Sequence, residues 1–272
     1  PEAPLPLPND APHLLERLAA EQPGQRIQTS VRQALQRQTQ ALVNRYAREY
    51  SSNHIHNLAA IVADVETGEV LAYAGNATYP ADERRGNQVD IITSPRSTGS
   101  ILKPFLYAGM LHDGLLLPSM LVSDVPLNIN GFSPHNYNKT FYGAVPAHVA
   151  IERSLNVPLV RMLSQYNTGR FMSLLKSWGM TTLRFSEEHY GASLILGGAE
   201  GTLWDLSGMY ASMSRVLKHY RTYNGRYNPA DIHPLTPFPA ERKEPIRSLT
   251  DSRLTDKALL SSAALWLSLI HI

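Results

Sequence analysis

Gly99 and Pro104 together mark where one helix of this chain must begin, and that boundary restricts the fold more than any other short stretch. Pro104 has no backbone N–H, which costs least in a first turn, where amide hydrogens lack an intrahelical partner anyway. Gly99 permits a sharp turn just before it. Between them lies Ser100-Ile-Leu-Lys103. A serine and a lysine three residues apart share a face once the segment is helical. If Ser100 opens the helix, it sits at the positive end of the helix dipole, where negative charge on oxygen is favoured. A buried lysine can lose its proton and take one from the serine, leaving an oxygen nucleophile. The same spacing also describes an N-cap serine beside a surface lysine. A second copy, Ser173-Leu-Leu-Lys176, falls mid-helix with no glycine turn or proline before it and reads as structural.

The chain has 272 residues, enough for one large domain or two small ones. It is 43% hydrophobic and 18% charged, as expected of a globular protein with a core. Lysine plus arginine number 25 against 23 acids, a net charge of +2 that gives no reason to invoke nucleic acid or an anionic membrane surface. The absence of cysteine excludes disulfides, thiolate zinc sites and a cysteine nucleophile. No apolar run approaches the ~20 residues that cross a bilayer. Pro1-Glu-Ala-Pro-Leu-Pro-Leu-Pro8 reads as a proline-rich tether rather than a leader, so the expectation is a piece cut from a longer protein.

Residues 1–28 read as linker with a short helix at Pro12–Ala20. Thr29 or Ser30 is the expected cap of a helix over Val31–Tyr50. Residues 58–75 read as a hairpin turning at Glu66-Thr-Gly-Glu69. Asp113 to Tyr142 has little periodicity, which is long for a structureless loop and suggests a site-forming segment. Helices are expected from Ala147 to about Ser154, from Val157-Pro158 through Leu163, and over Thr168–Trp178. Another follows a capping box at Thr202-Leu-Trp-Asp205, and a last one starts near Thr255. Gly197-Gly198 is a close-packing or turn site.

Ser154-Leu-Asn156 stands between two of these helices. Its hydroxyl could relay a proton and its amide hold a substrate carbonyl and a lysine, although Asn156 is also a good N-cap for the helix that follows. His54 and His56 lack a third ligand nearby and are not expected to bind metal. Asp64 and Asp90 are unremarked candidates for a general base, and Asp82-Glu-Arg-Arg85 reads as a solvated charge cluster. Tyr137, Tyr142, Trp178 and Trp204 read as packing.

Arg96-Ser-Thr-Gly-Ser-Ile-Leu-Lys-Pro-Phe105 resembles the active-site serine segment of class A penicillin-binding proteins, and the serine/lysine motif itself is a signature of that superfamily. Asn136-Tyr-Asn138, Phe141-Tyr-Gly143 and Ile151-Glu-Arg-Ser-Leu-Asn-Val-Pro-Leu-Val160 resemble the family's stretch around its Ser-x-Asn motif. Tyr190-Gly-Ala-Ser-Leu-Ile-Leu-Gly-Gly-Ala-Glu200 resembles a glycine-rich segment farther on, and the hairpin resembles the first two strands. The likeness covers about residues 25–266 and is nearest to the 1C subtype.

The resemblance implies an α+β penicillin-binding transpeptidase (serine β-lactamase-like) fold: an antiparallel sheet with flanking helices, plus a helical part containing residues 144–220. Its implied domains are a linker and N-terminal helical segment at 1–57, a partial transpeptidase domain at 58–266 and a tail of foreign character at 267–272. The implied activity is that of a serine D,D-transpeptidase acting on peptidoglycan stem peptides and acylated by β-lactams, without cofactor or metal. Ser100 would be the nucleophile and Lys103 its base. Ser154 and Asn156 would shuttle a proton and position substrate. The Ser100 N–H would form part of an oxyanion hole, whose donors are worth about 3 kcal/mol each. The parent would carry a glycosyltransferase domain and a membrane anchor, act on the periplasmic side of the bacterial inner membrane and join a wall-building complex.

The family's Lys-Thr-Gly motif is absent. None of the three Thr-Gly pairs, after Glu66, Ser97 and Asn167, has a preceding basic residue. The expectation is therefore a truncated fragment that lacks C-terminal strands, leaves its hairpin without partners and folds or reacts weakly. A D,D-carboxypeptidase or serine β-lactamase-type hydrolase is the alternative within the same chemistry. A non-catalytic penicillin-fold binding or sensing module is the alternative outside it.

Overall fold

The computed structural model describes residues 9–78, 83–129, 131–241 and 244–270. The proline-rich start, Asp82 of the charge cluster and the last two residues lie outside these. In chain order the elements are α1 (Pro12–Glu21), α2 (Gln33–Glu49), β1 (Ala60–Ala63), β2 (Val70–Ala74), β3 (Arg96–Ser97), α3 (Lys103–His112), β4 (Leu121–Asp124) and β5 (Gly143–Pro146). Then follow α4 (Ala147–Glu152), α5 (Asn156–Tyr166), α6 (Thr168–Ser177), α7 (Glu187–Tyr190), β6 (Glu200–Gly201), α8 (Leu203–Thr222) and α9 (Ser262–Ile270). The strands pair as β1–β2, β3–β6 and β4–β5, all antiparallel. The chain divides into two compact units. One holds residues 1–95, 202–211 and 234–244, and the other holds 96–201, 212–233 and 245–272.

The first unit is built on the β1–β2 hairpin. Register runs Ala60↔Ala74 to Ala63↔Val70, with one irregularity between Val62 and Ala63. Asp64 closes the turn: its Oδ1 accepts from the Thr67 N–H at 2.8 Å and the Thr67 hydroxyl at 3.1 Å. The Thr67 N–H holds the Asp64 carboxyl below its ordinary range. That accounts for Asp64 as a turn residue. Asp90 is likewise engaged, accepting from the Tyr73 hydroxyl and, at 2.9 Å, from the Ile92 N–H.

Leu14 and Leu18 of α1 are buried with Val70, Tyr73, Ile92 and Leu235, so the short helix in the stretch read as linker contributes core. Val43 and Ala47 of α2 pack on Ala74 and Ala77. Gln36, 1% exposed, brackets the β2 backbone: its Oε1 accepts from Tyr73 N at 2.6 Å and its Nε2 donates to Tyr73 O at 3.0 Å.

Two expectations fail here for one reason, the obligation of every strand amide and carbonyl to find a partner. The hairpin is not left without partners. Val70 N donates to Thr236 O at 2.8 Å, and Arg32 N donates to Leu71 O at 2.9 Å. Ser30 does not cap α2, because its hydroxyl donates to Val70 O at 2.9 Å. The helix instead opens after Arg32 with no side-chain cap.

The second unit wraps α3. Leu102, Phe105, Leu106, Tyr107, Ala108 and Met110 are all 0% exposed, the signature of a helix surrounded on every side. The larger of these side chains each contribute on the order of 2 kcal/mol of burial. α4, α5, α6 and α9 pack against it. The last helix starts at Ser262 rather than near Thr255, because Thr255 pairs as an isolated bridge with Tyr227 through two 2.8 Å hydrogen bonds. Residues 267–270 are the final turn of α9, and the buried Ser268 hydroxyl donates to Pro104 O at 2.8 Å. The Thr202 cap forms as expected, its hydroxyl accepting from Asp205 N at 2.9 Å.

Candidate active site

The helix α3 begins at Lys103, with Pro104 in its first turn. Ser100 therefore does not open the helix but lies three residues before it, in a turn held by Ile101 N to Thr98 O and Lys103 N to Ser100 O, each 3.1 Å. Gly99, at φ +53°, makes the bend. Ser100 is exposed, and neither its hydroxyl nor its N–H is hydrogen-bonded among the described residues. Lys103, one turn on, is 1% exposed in the same segment.

A buried amine needs acceptors, and α4–α5 supply them. Lys103 Nζ donates to the Ser154 carbonyl at 2.8 Å, to Ser154 Oγ at 3.1 Å and to Asn156 Oδ1 at 2.8 Å. Burial pulls the ammonium down to about 8, because the three partners are neutral and no carboxylate offsets the lost hydration. The two motifs thus meet at one atom, and the reading of Lys103 as a surface lysine is excluded.

The backbone around Ser154 explains how. Ser154 N donates to Ile151 O at 3.0 Å and Leu155 N to Ala150 O at 2.9 Å. This is the helix-ending loop whose left-handed position is usually glycine. Ser154 fills that position at φ +50°, a strained choice for a residue with a Cβ.

Asn156 is not the N-cap of α5. It is the first helical residue, after Leu155, which has no polar side chain to offer. The first amides of α5 are satisfied from elsewhere: Asn136 Oδ1 accepts from Asn156 N at 2.9 Å and Val157 N at 3.3 Å. Pro158 has no N–H to satisfy. The Asn136 Nδ2 faces the other way, donating to Asp124 Oδ1 at 2.8 Å, Asp124 Oδ2 at 3.0 Å and Thr140 O at 2.9 Å. Asp124 is 0% exposed at the end of β4 and also accepts from Tyr142 N at 3.0 Å. Asn156 Nδ2 donates to His135 O at 2.9 Å.

The glycine-rich segment joins the same turn. Ser97 Oγ donates to Gly197 O at 2.7 Å, and Thr98 N to Ala199 O at 3.1 Å. Gly197 has φ +99°, and a Cβ there would lie 2.8 Å from Gly99 N.

Three segments far apart in sequence thus converge on a serine, a buried amine and an amide. The model of the penicillin binding protein transpeptidase domain matches residues 58–202, more than half of the chain. The chain belongs to that family.

Among penicillin-binding proteins, protein 1C of Escherichia coli K12 is 29% identical over 97% of the chain and 31% of its own length. Protein 1B of Vibrio cholerae is 26% identical over 59% of the chain and 20% of its own length. The chain thus spans less than a third of these relatives. The transpeptidase domain of Burkholderia pseudomallei penicillin-binding protein 3 superposes with TM-score 0.64 at 19% identity, covering 92% of the chain and 70% of that domain. Mycobacterium tuberculosis PonA1 superposes with TM-score 0.55 at 18% identity, covering 75% of the chain and 57% of PonA1. The α+β penicillin-binding fold is thereby shown.

Within this penicillin-binding fold the second serine–lysine copy is structural. Ser173 donates to Gly169 O at 3.0 Å within α6, and Lys176 is exposed. Among the described residues no cluster of three metal-ligating side chains includes His54 or His56. No helix of the described residues is long and apolar enough to cross a membrane. Sequence reasoning missed Asp124 and the role of Asn136. The available signal was Leu155, an apolar residue preceding a helix whose first amides need an acceptor from outside.

Proposed function

We propose that this chain is the acyl-transfer part of a serine D,D-transpeptidase that cross-links peptidoglycan stem peptides. The observation that carries the reading is Lys103 Nζ, buried, drawn down to about 8, and held by Ser154 and Asn156 one turn from an exposed serine.

The three contacts of Lys103 constrain the chemistry. A neutral amine has two N–H bonds and one lone pair. The Ser154 carbonyl and Asn156 Oδ1 can only accept, so they take the two N–H bonds. The lone pair is left for a hydroxyl, either Ser100 directly or Ser154 Oγ as intermediary. Ser100 Oγ then attacks the carbonyl before the terminal D-alanine, and its proton passes to Lys103. The unpartnered Ser100 N–H supports a role as one donor to the developing oxyanion. Collapse breaks the C–N bond, and the proton on Lys103 goes to the departing D-alanine amine. The amine of a second stem peptide attacks the Ser100 ester, gives up a proton along the same path and releases the enzyme.

The same reading makes β-lactams acylating ligands. The likeness to penicillin-binding proteins 1C and 1B supports the further proposal of a class A parent, with a glycosyltransferase domain and an anchor, working on the periplasmic face of the inner membrane within a wall-building complex. Intact-mass and peptide mapping after exposure to a labelled penicillin tests the proposal. One adduct on Ser100 supports it, and an adduct elsewhere or none on the parent protein overturns it.

A further inference from the structure

We propose that Asp124 and Asn136 form a positioning pair that sets the orientation of Asn156 and, through it, of the Lys103 amine. The proposal rests on the acyl-transfer reading for its meaning, but its geometry stands independently.

An asparagine amide has two faces, and nothing intrinsic decides which points where. Here the neighbours decide. The Asp124 carboxylate lies 2.8 and 3.0 Å from Asn136 Nδ2, is 0% exposed and accepts hydrogen bonds. It therefore requires the NH2 side of Asn136. That leaves Asn136 Oδ1 facing the amides of Asn156 and Val157, at 2.9 and 3.3 Å. The first turn of α5 is thus located by a side chain some twenty residues away in sequence, because Leu155 cannot do it. Asn156 sits on that first turn, with its Oδ1 2.8 Å from Lys103 Nζ and its Nδ2 on His135 O at 2.9 Å. The path from Asp124 to Lys103 runs through the Asn136 side chain, used at both ends, and through Asn156, which donates its backbone N–H to Asn136 and offers its side-chain oxygen to Lys103.

Neither Asp124 nor Asn136 contacts Ser100 or Lys103 directly, so each acts through Asn156. A displacement of about 1 Å at a reacting group costs on the order of 100-fold in rate. Asn136→Asp sets two carboxylates against each other at the position of the Nδ2 contact, so acylation by a fluorescent penicillin should fall on the order of 100-fold. The exchanged double variant, Asp124→Asn with Asn136→Asp, turns a donor back toward an acceptor at that contact and presents a carboxylate oxygen to the α5 amides, while the Thr140 carbonyl, 2.9 Å from Asn136 Nδ2, loses its donor. It should recover at least about tenfold of that loss, because aspartate caps helices as well as asparagine does.

The second measurement needs no turnover. Competitive acetylation of lysines, read by mass spectrometry, reports how sheltered the Lys103 amine is. Labelling of Lys103 should rise in Asn136→Asp and return toward the starting level in the exchanged variant, with Lys176 labelled equally throughout. A variant that loses melting temperature but shows wild-type acylation and Lys103 labelling per folded molecule overturns the proposal. So does an exchanged variant no better than the single one in both readouts. If the starting protein is not acylated, the acyl-transfer reading is what fails. The labelling pattern then still decides the positioning role.

Discussion

The Ser154 carbonyl accepts from Lys103 Nζ at 2.8 Å, and Ser154 occupies the left-handed region, at φ +50°, in doing so. Glycine is the ordinary occupant of that position in a helix-ending loop, since a Cβ there costs about 1–2 kcal/mol. The serine hydroxyl in return lies 3.1 Å from the same amine. Strain carried by a polar residue where glycine would relax it is characteristic of functional positions.

Ser154→Gly should therefore separate stability from activity. Relief of the left-handed strain stabilises by about 1 kcal/mol, which for a chain of this size raises the melting temperature by about 2–4 °C. Loss of Oγ removes one partner of Lys103 and should slow penicillin acylation by on the order of 100-fold, the lower end of what proton transfer contributes. Calorimetry and acylation kinetics on the same preparation check both signs. A variant that is less stable, or reacts at the wild-type rate, contradicts this account of the residue.

The pH dependence follows from the Lys103 value of about 8. Only the neutral amine accepts the Ser100 proton, and its fraction grows as pH rises. Acylation should climb through a midpoint near 8 and level off above it. Lys103→Arg, charged at every working pH, should lose this limb altogether. Stopped-flow acylation between pH 6 and 10 reads the curve. A flat profile in the wild type would count against Lys103 as the base.

The same shift bears on stability, with the opposite partner state in view. Lys103 binds its proton more weakly in the folded chain, at about 8, than an ordinary lysine does at 10.5. The unfolded chain is thus favoured by proton uptake below about 8. That destabilising contribution fades as pH rises from about 8 to 10.5, by on the order of 3 kcal/mol. The difference between wild-type and Lys103→Met stability curves over this range isolates it. Equal slopes would show that the amine is not desolvated.

Gly197→Ala tests the backing of the serine turn. Its Cβ would lie 2.6 Å from Ser97 Oγ, 2.8 Å from Gly99 N and 2.9 Å from Gly99 Cα, and two of these are backbone atoms that cannot swing away. The backbone at φ +99° adds strain. We expect a loss of about 1–3 kcal/mol by denaturant titration, together with slower acylation, because the turn carrying Ser100 is what must move.

Tyr107→Phe probes the interior of the site helix. Among the described residues the buried Tyr107 hydroxyl has no hydrogen-bond partner, and burial pushes it up to about 12. Removing an unsatisfied buried hydroxyl should be neutral or stabilising by up to about 1 kcal/mol. A clear loss in the melting temperature would contradict this reading of the hydroxyl as unsatisfied.

Local rules read from the chain located most elements. The turn at Gly99, the proline inside the first turn of α3, the Thr202 cap and the β1–β2 hairpin all depend on neighbours within a few residues. Such signals are written in the chain at close range. Where local rules failed, a distant backbone had a stronger demand. Ser30 was drawn from capping α2 to serving β2, and Thr255 paired with Tyr227 instead of opening a helix.

The residue types of the site and their pairing into two motifs were determined by sequence: Ser100 with Lys103, and Ser154 with Asn156. What only the tertiary structure decided is which reading of each residue holds. Lys103 is an interior amine because α4, α5, α6 and α9 close around α3, and hydration lost by that packing lowers its proton affinity. Asn156 opens α5 because Asn136, held by Asp124, accepts from its backbone amide where Leu155 offers no cap, which leaves the Asn156 side chain for the amine. Desolvation and the direction of an amide depend on what surrounds a group in space, and spacing along a chain does not encode them.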